Sequence, residues 1–322
     1  MPVWSGERHP VDESQPVANG SNSARGCFSV HQPGRYPRPL VRVDEHTIEV
    51  AGASVFYRSA PVAGVTPLFL HSVPTSSDDW TAFLERSGGI APDLIGFGRS
   101  DKSGSLDYSL GAYAEFVDEL LDALHIPQVK LIGHGWGAAI GLVFAQRHPE
   151  RIERLVVCNA IPLLDPFHWP RIARWLRIPV LGELLMGSTN RWLLARILRR
   201  GCVRADAWPP ARIAATWEQF DQGTQRAILR LHRSVDERRL AAAGLDLGGL
   251  DRPSLVVWGE RDPWLGAELA DAYCARLPRA SLQRIPEAGH WPWLDQPTVI
   301  ELITVFLDAS EQLGGSPGAA FG

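Results

Sequence analysis

With 322 residues, of which 45% are hydrophobic and 21% charged, the chain has the apolar content for a sizeable core, which excludes disorder throughout. A formal net charge of −4 supplies no broad basic field for nucleic acid or an anionic membrane, and the Arg-rich stretch from Arg196 to Arg204 reads as a solvated helix face. Cys27, Cys158, Cys202 and Cys274 form no metal-type spacing, residues 1–30 hold no apolar run long enough for a signal peptide, and no segment reaches about 18 uninterrupted apolar residues; the expectation is a cytoplasmic protein with reduced thiols, no metal and no cofactor.

Residues 1–38 are polar and turn-rich, which predicts a flexible leader. Strands are predicted at 46–50 and 54–58, a hairpin turning near Ala51 and Gly52, and then at 67–70 and 89–91. An amphipathic helix over 108–124 follows, then a strand at 129–133, a helix at 137–148 and a strand at 154–158. From 163 to 249 the chain loses sheet-like alternation and carries Arg, Leu, Ala and Trp at helical spacing, which predicts an inserted helical cap. The sheet resumes at 254–258, followed by a helix at 265–277, a strand at 281–285 and a helix at 298–313; residues 314–322 read as a loose tail. No repeat of fixed period is present. Strands alternating with helices define an α/β chain, an eight-stranded, mostly parallel sheet flanked by helices, with residues 39–162 and 250–313 as its core.

The run Leu131-Ile132-Gly133-His134-Gly135-Trp136-Gly137-Ala138-Ala139 follows a predicted strand and opens a predicted helix, the context of a G-x-S-x-G nucleophile elbow. Small flanking residues let strand and helix approach around the sharp turn. The central residue is held at positive φ with its side chain presented to the site. Here that residue is Gly135, which presents none.

Gly-His-X-Trp-Gly resembles the elbow of haloalkane dehalogenases and epoxide hydrolases of the α/β-hydrolase fold, in which X is aspartate. Leu70-His71-Ser72-Val73-Pro74 is similar to the family's His-Gly-x-Pro oxyanion loop, and Ala91-Pro92-Asp93-Leu94-Ile95-Gly96-Phe97-Gly98-Arg99-Ser100-Asp101 to its segment after the next strand. The likeness spans about residues 43–313. It implies that Asp262, in Trp258-Gly259-Glu260-Arg261-Asp262-Pro263, holds the place of the triad acid. It likewise puts His290, in Ala288-Gly289-His290-Trp291-Pro292, in the place of the base. In the family the aspartate attacks carbon to form an ester and the histidine activates the water that hydrolyses it. Asp262 would then orient and charge-balance His290.

Gly135 cannot form that ester and is a vacant nucleophile position, Ser72 replaces the usual glycine of the oxyanion loop, and Val73 stands where many haloalkane dehalogenases hold halide with asparagine. Trp136 keeps the family's halide-type indole N–H. Tyr36, Tyr57, Tyr108, Tyr113 and Tyr273 all lie outside the predicted cap, where epoxide hydrolases typically place their activating tyrosines. On its loop, Ser72 would need a large rearrangement to serve at the elbow and reads as lining the pocket. The cap tryptophans Trp169, Trp175, Trp192, Trp208 and Trp217 read as core anchors, with Trp169 and Trp175 candidates to line an apolar pocket. His71 and His134 belong to the motif's packing, and Cys158 reads as a buried small apolar residue.

Three readings stay open. The first is a cofactor-free hydrolase-like enzyme whose His290–Asp262 dyad activates water or abstracts a proton, acting on a small apolar molecule. The second is a degenerate pseudoenzyme that binds a small ligand or a partner. The third is a dehalogenase or epoxide hydrolase whose nucleophilic aspartate has been replaced by Gly135. The dyad reading expects Asp262 to accept a hydrogen bond from His290 Nδ1 while the other ring nitrogen faces the Gly135 void.

Overall fold

The computed structural model describes residues 40–309. The predicted leader and tail, and the last residues of the helix predicted to end at 313, lie outside them. Eight strands, β1 (Asp44–Val50), β2 (Ala53–Ala60), β3 (Thr66–Leu70), β4 (Gly89–Pro92), β5 (Val129–His134), β6 (Ile152–Cys158), β7 (Ser254–Gly259) and β8 (Ala280–Ile285), form one sheet. Its order is β1-β2-β4-β3-β5-β6-β7-β8. β2 runs antiparallel to both neighbours, and β4, β3, β5, β6, β7 and β8 are parallel.

Burial follows from that order. β7, Ser254-Leu255-Val256-Val257-Trp258-Gly259, lies between β6 and β8 and is buried at every position, as expected of an interior parallel strand covered on both faces. At the sheet's edge, β8 is half-buried throughout.

The helices are α1 (Thr81–Ser87), α2 (Leu110–Ala123), α3 (Gly135–Arg147), α4 (Arg171–Arg177), α5 (Leu181–Gly187), α6 (Arg191–Arg200), α7 (Pro210–Gln219), α8 (Gln222–Ser234), α9 (Glu237–Ala243), α10 (Glu268–Arg276), α11 (Pro292–Asp295) and α12 (Thr298–Asp308). α2 starts two residues later than its periodicity predicts because the Ser109 side chain accepts the Ala112 N–H and caps it. Its buried residues Tyr113, Phe116, Val117, Leu120 and Leu121 follow helical spacing and form one stripe toward the sheet. α10 starts at Glu268 rather than 265, since the amides of Trp264 and Leu265 are held by the Asp262 carboxylate instead of entering the helix. α1 and α11 were not anticipated from the sequence; each is a short turn of helix in a stretch of mixed pattern.

Between β6 and β7 the chain makes only helices, α4 to α9, and a short 3₁₀ turn at Leu245–Gly249. The Arg-rich face of α6 is solvated as expected, with Arg191, Arg196, Arg199 and Arg200 exposed over buried Leu194, Ala195 and Leu198. The helical insertion is tied to the loop after β8. Asp295, 2% exposed, accepts the backbone N–H groups of Val203 (2.9 and 3.0 Å), Arg204 (2.7 Å) and Gly289 (2.8 Å). Among the described residues no helix is long and apolar enough to cross a membrane.

Candidate active site

Because β3 to β8 are parallel, their carboxyl ends share one edge, and the loops leaving β3, β5, β6, β7 and β8 converge there. β5 passes directly into α3 through Gly135, whose φ is +53°. This is the left-handed conformation of an elbow, which costs a non-glycine residue about 1 to 3 kcal/mol. At Gly137 a Cβ would meet the carbonyl oxygens of Leu70 and His71 at 2.3 and 2.4 Å, so the helix approaches the loop after β3 as closely as a glycine permits.

His290 and Asp262 come together as expected. His290 Nδ1 lies 2.6 Å from Asp262 Oδ2, with side chains 8% and 0% exposed. Four donors converge on the carboxylate: Oδ2 also accepts Asn159 Nδ2 at 2.8 Å, and Oδ1 accepts the N–H groups of Trp264 and Leu265 at 2.9 and 3.2 Å. Asn159, at the residue after β6, is itself fixed by accepting the Gly259 N–H at 2.9 Å. A carboxylate so surrounded is an acceptor, so Nδ1 of His290 carries the proton and a neutral ring leaves Nε2 with its lone pair free. That Nε2 is 3.5 Å from the point a Cβ on Gly135 would occupy.

The nucleophile position is not a void, and here the sequence reading is corrected. The same Cβ point is 2.1 Å from Ser72 Oγ and 2.7 Å from Ser72 Cβ. The serine therefore fills the space that a residue at 135 would use, without the rearrangement its loop position seemed to demand. Its hydroxyl oxygen accepts the Trp136 N–H at 3.2 Å. The cause is local: His71 Nδ1 and Thr75 Oγ1 both donate to the Ser72 carbonyl, at 2.7 and 2.9 Å, and His71 Nε2 accepts the Leu94 N–H at 2.9 Å. These bonds hold the Ser72 backbone against the elbow, where the missing side chain leaves nothing to compete with Oγ.

His71 and His134 have the packing roles expected of them. Burial, above all, lowers the His71 imidazole and pushes that of His134 well below its ordinary value, so both remain neutral. His134 Nε2 donates to the His290 carbonyl at 2.8 Å and so helps to place the base.

Trp136 stacks on Trp169 at 5.8 Å, and His232 of α8 stands edge-on to Trp136 at 5.1 Å. His232 Nδ1 donates to the Ile228 carbonyl, and burial pushes its pKa down to about 4, leaving Nε2 an acceptor. Trp175 does not join this group: it is 43% exposed and lies under the Arg171 guanidinium. Trp208 is a core anchor at 1% exposure, whereas Trp192 is 69% exposed and anchors nothing. Val73 is half-buried beside Ser72, and Cys158 is buried at the end of β6. Asn159, His232 and Asp295 are the residues of this region that sequence reasoning missed. Asn159 had a signal, a polar side chain directly after a strand on the edge where Asp262 and His290 were already placed.

An elbow between strand and helix, an acid after β7 and a histidine after β8 on a mostly parallel eight-stranded sheet define the α/β-hydrolase architecture. The chain belongs to that family: the family model for the alpha/beta hydrolase fold matches residues 68–297. Within it, the chain is similar to a haloalkane dehalogenase of Mycobacterium marinum, 30% identical over 274 residues that cover 77% of this chain and 84% of that protein. The solved structure of haloalkane dehalogenase DbeA from Bradyrhizobium elkani superposes with a TM-score of 0.72 at 26% identity, covering 82% of this chain and 97% of that one. Epoxide hydrolase CorEH shares the fold, with a TM-score of 0.73 at 20% identity over 83% of this chain and 99% of the other. The protein is thus hydrolase-like by descent.

Proposed function

We propose that this chain is a cofactor-free hydrolase in which His290, oriented and charge-balanced by Asp262, acts as the base on a small apolar substrate. The observation that carries the reading is the 2.6 Å bond between His290 Nδ1 and Asp262, with Nε2 turned toward the elbow. In the reaction Nε2 takes a proton from a hydroxyl or a water, the imidazolium is stabilised by Asp262, and the proton is returned to the leaving group. α3 begins at the elbow, so the positive end of its dipole lies at the same place and favours negative charge on oxygen there. Trp136 and Trp169 give the site an apolar wall. An ester route through residue 135 has no support, since Gly135 has no carboxylate and Ser72 occupies the space.

The filled seat also supports a second reading, a degenerate protein that binds a small ligand or partner without turnover. A panel of small esters, haloalkanes and epoxides separates the two. The hydrolase reading expects turnover of at least one class, falling by about 10² to 10⁴ in His290→Ala. Parent and variant that are equally inert leave only the binding protein.

A further inference from the structure

We infer that Ser72 is the nucleophile, its hydroxyl having taken over from the oxyanion-loop side the place that Gly135 leaves empty on the elbow, and that the substrate class is the carboxylic ester with a small apolar acyl group. The inference rests on the reading of His290 as the base.

Ser72 Oγ and His290 Nε2 flank one point, at 2.1 and 3.5 Å, so they lie no farther apart than the sum of those distances. Among the described residues the hydroxyl oxygen accepts one bond, from Trp136 N–H, and its proton goes to no protein acceptor; His290 Nε2 likewise has no protein donor. A buried hydroxyl with an unused proton and a base with an unused lone pair thus lie close to one point, with no hydrogen bond yet made between them. Ser72 is 2% exposed, so water does not compete freely for that proton. The Trp136 N–H stands in the first turn of the 13-residue α3, and the bond it gives to Oγ stabilises the charge that develops as the proton leaves.

The exchange is reciprocal. The family's oxyanion loop carries glycine opposite an elbow with a side chain; here the loop carries the side chain and the elbow the glycine. Filling the space alone needs only a methyl group. Serine adds the one group that His290 can activate. A hydroxyl deprotonated by imidazole is suited to attack at an acyl carbonyl, whereas displacement at a saturated carbon in this family uses a carboxylate.

The steps balance without a further reactant. Ser72 Oγ bonds to the ester carbonyl carbon as its proton passes to His290 Nε2, and the carbonyl oxygen takes the negative charge. Val73 N–H, which has no acceptor among the described residues, is the loop's available donor for it. The carbon–alkoxy bond then breaks, the leaving oxygen takes the proton from His290, and an acyl ester remains on Ser72. Water attacks that ester with its proton going to His290, and Ser72 Oγ departs carrying the proton back. The products are one carboxylic acid and one alcohol.

The test uses the whole protein with p-nitrophenyl acetate and butyrate for turnover, and a fluorophosphonate for covalent capture read by peptide mass spectrometry. The expected result is a fluorophosphonate adduct on the Ser72 peptide, a p-nitrophenol burst approaching one per chain, and loss of both in Ser72→Ala. Steady-state turnover should fall about 10³-fold or more in that variant, with the adduct also lost in His290→Ala. If Ser72→Ala does not fold, Ser72→Cys decides: an acyl thioester on residue 72 is expected, and its absence overturns the proposal. Equal ester hydrolysis by parent and a folded Ser72→Ala, with no adduct on Ser72, overturns it and leaves the water-activating dyad in place. A loss of turnover in Ser72→Ala without any adduct in the parent assigns Ser72 a positioning role and also overturns it. Neither hydrolysis nor adduct in the parent overturns both this proposal and the reading beneath it.

Discussion

Returning an aspartate to the elbow is the perturbation whose outcome the geometry constrains most tightly. In Gly135→Asp the new Cβ would meet Ser72 Oγ at 2.1 Å and Ser72 Cβ at 2.7 Å, on a backbone with φ of +53°. The left-handed strain is about 1 to 3 kcal/mol. Crowding a well-packed site costs about another 1 to 3 kcal/mol. The single variant should therefore lose about 2 to 6 kcal/mol in all. At roughly 2 to 4 °C per kcal/mol for a domain of this size class, that is a drop in Tm of about 4 to 24 °C. Adding Ser72→Gly removes the crowding and leaves the strain, so the double variant should be more stable than Gly135→Asp despite carrying a second change. The coupling read from the four melting curves should be about 1 to 3 kcal/mol, of the size expected for side chains that compete for one space. In a His290→Ala background, the pair should also trap an alkyl ester from bromoalkanes, visible as a mass increment on residue 135. A double variant no more stable than the single would refute the claim that Ser72 holds the elbow's space.

Asp262→Asn keeps the shape of the acid but presents a donor to His290, favouring the wrong tautomer, so kcat for any substrate found should fall by about 10⁴ with little change in KM. Asp295→Ala removes the acceptor of three backbone N–H groups, on Val203, Arg204 and Gly289. Urea melts should show a loss of about 3 kcal/mol or more, and a change under about 1 kcal/mol would contradict its clamping role. His232 has a folded pKa near 4 against an unfolded value of 6.5 because it is buried. Below pH 6.5 the unfolded chain binds the proton first, so stability falls as pH drops from 6.5 toward 4. Replacing His232 by Phe should flatten that part of the stability profile, and an unchanged slope would show that other groups set it.

Most of the architecture was legible because its signals are local. The strand 129–133 and the glycines after it announced the elbow, and the family resemblance of the segments around Asp262 and His290 implied the partners, which the structure brings within 2.6 Å of each other. Helix starts were less legible, since Ser109 caps α2 and Asp262 withholds two amides from α10 through side-chain bonds that periodicity does not record. Ser72 was misplaced for a related reason. Two loops far apart in sequence determine whether its side chain reaches Gly135, and only the bonds of His71 and Thr75 to its carbonyl fix that approach. Trp169 and Trp175 look alike in sequence, yet one stacks on Trp136 and the other is exposed beside Arg171. Their difference depends on how the helical insertion docks, through contacts such as Asp295 with Val203 and Arg204.

The central claim is that His290 presents a free lone pair to the elbow because Asp262 holds the proton on the other ring nitrogen. Imidazole nitrogen-15 NMR of the whole protein, with His290 assigned by comparison with His290→Gln, reads that arrangement directly. In the neutral form of the ring the account predicts a protonated, pyrrole-like Nδ1 and an unprotonated, pyridine-like Nε2, with the Nδ1 proton signal lost in Asp262→Ala. A neutral His290 carrying its proton on Nε2, or a ring whose tautomer is indifferent to Asp262→Ala, would contradict it.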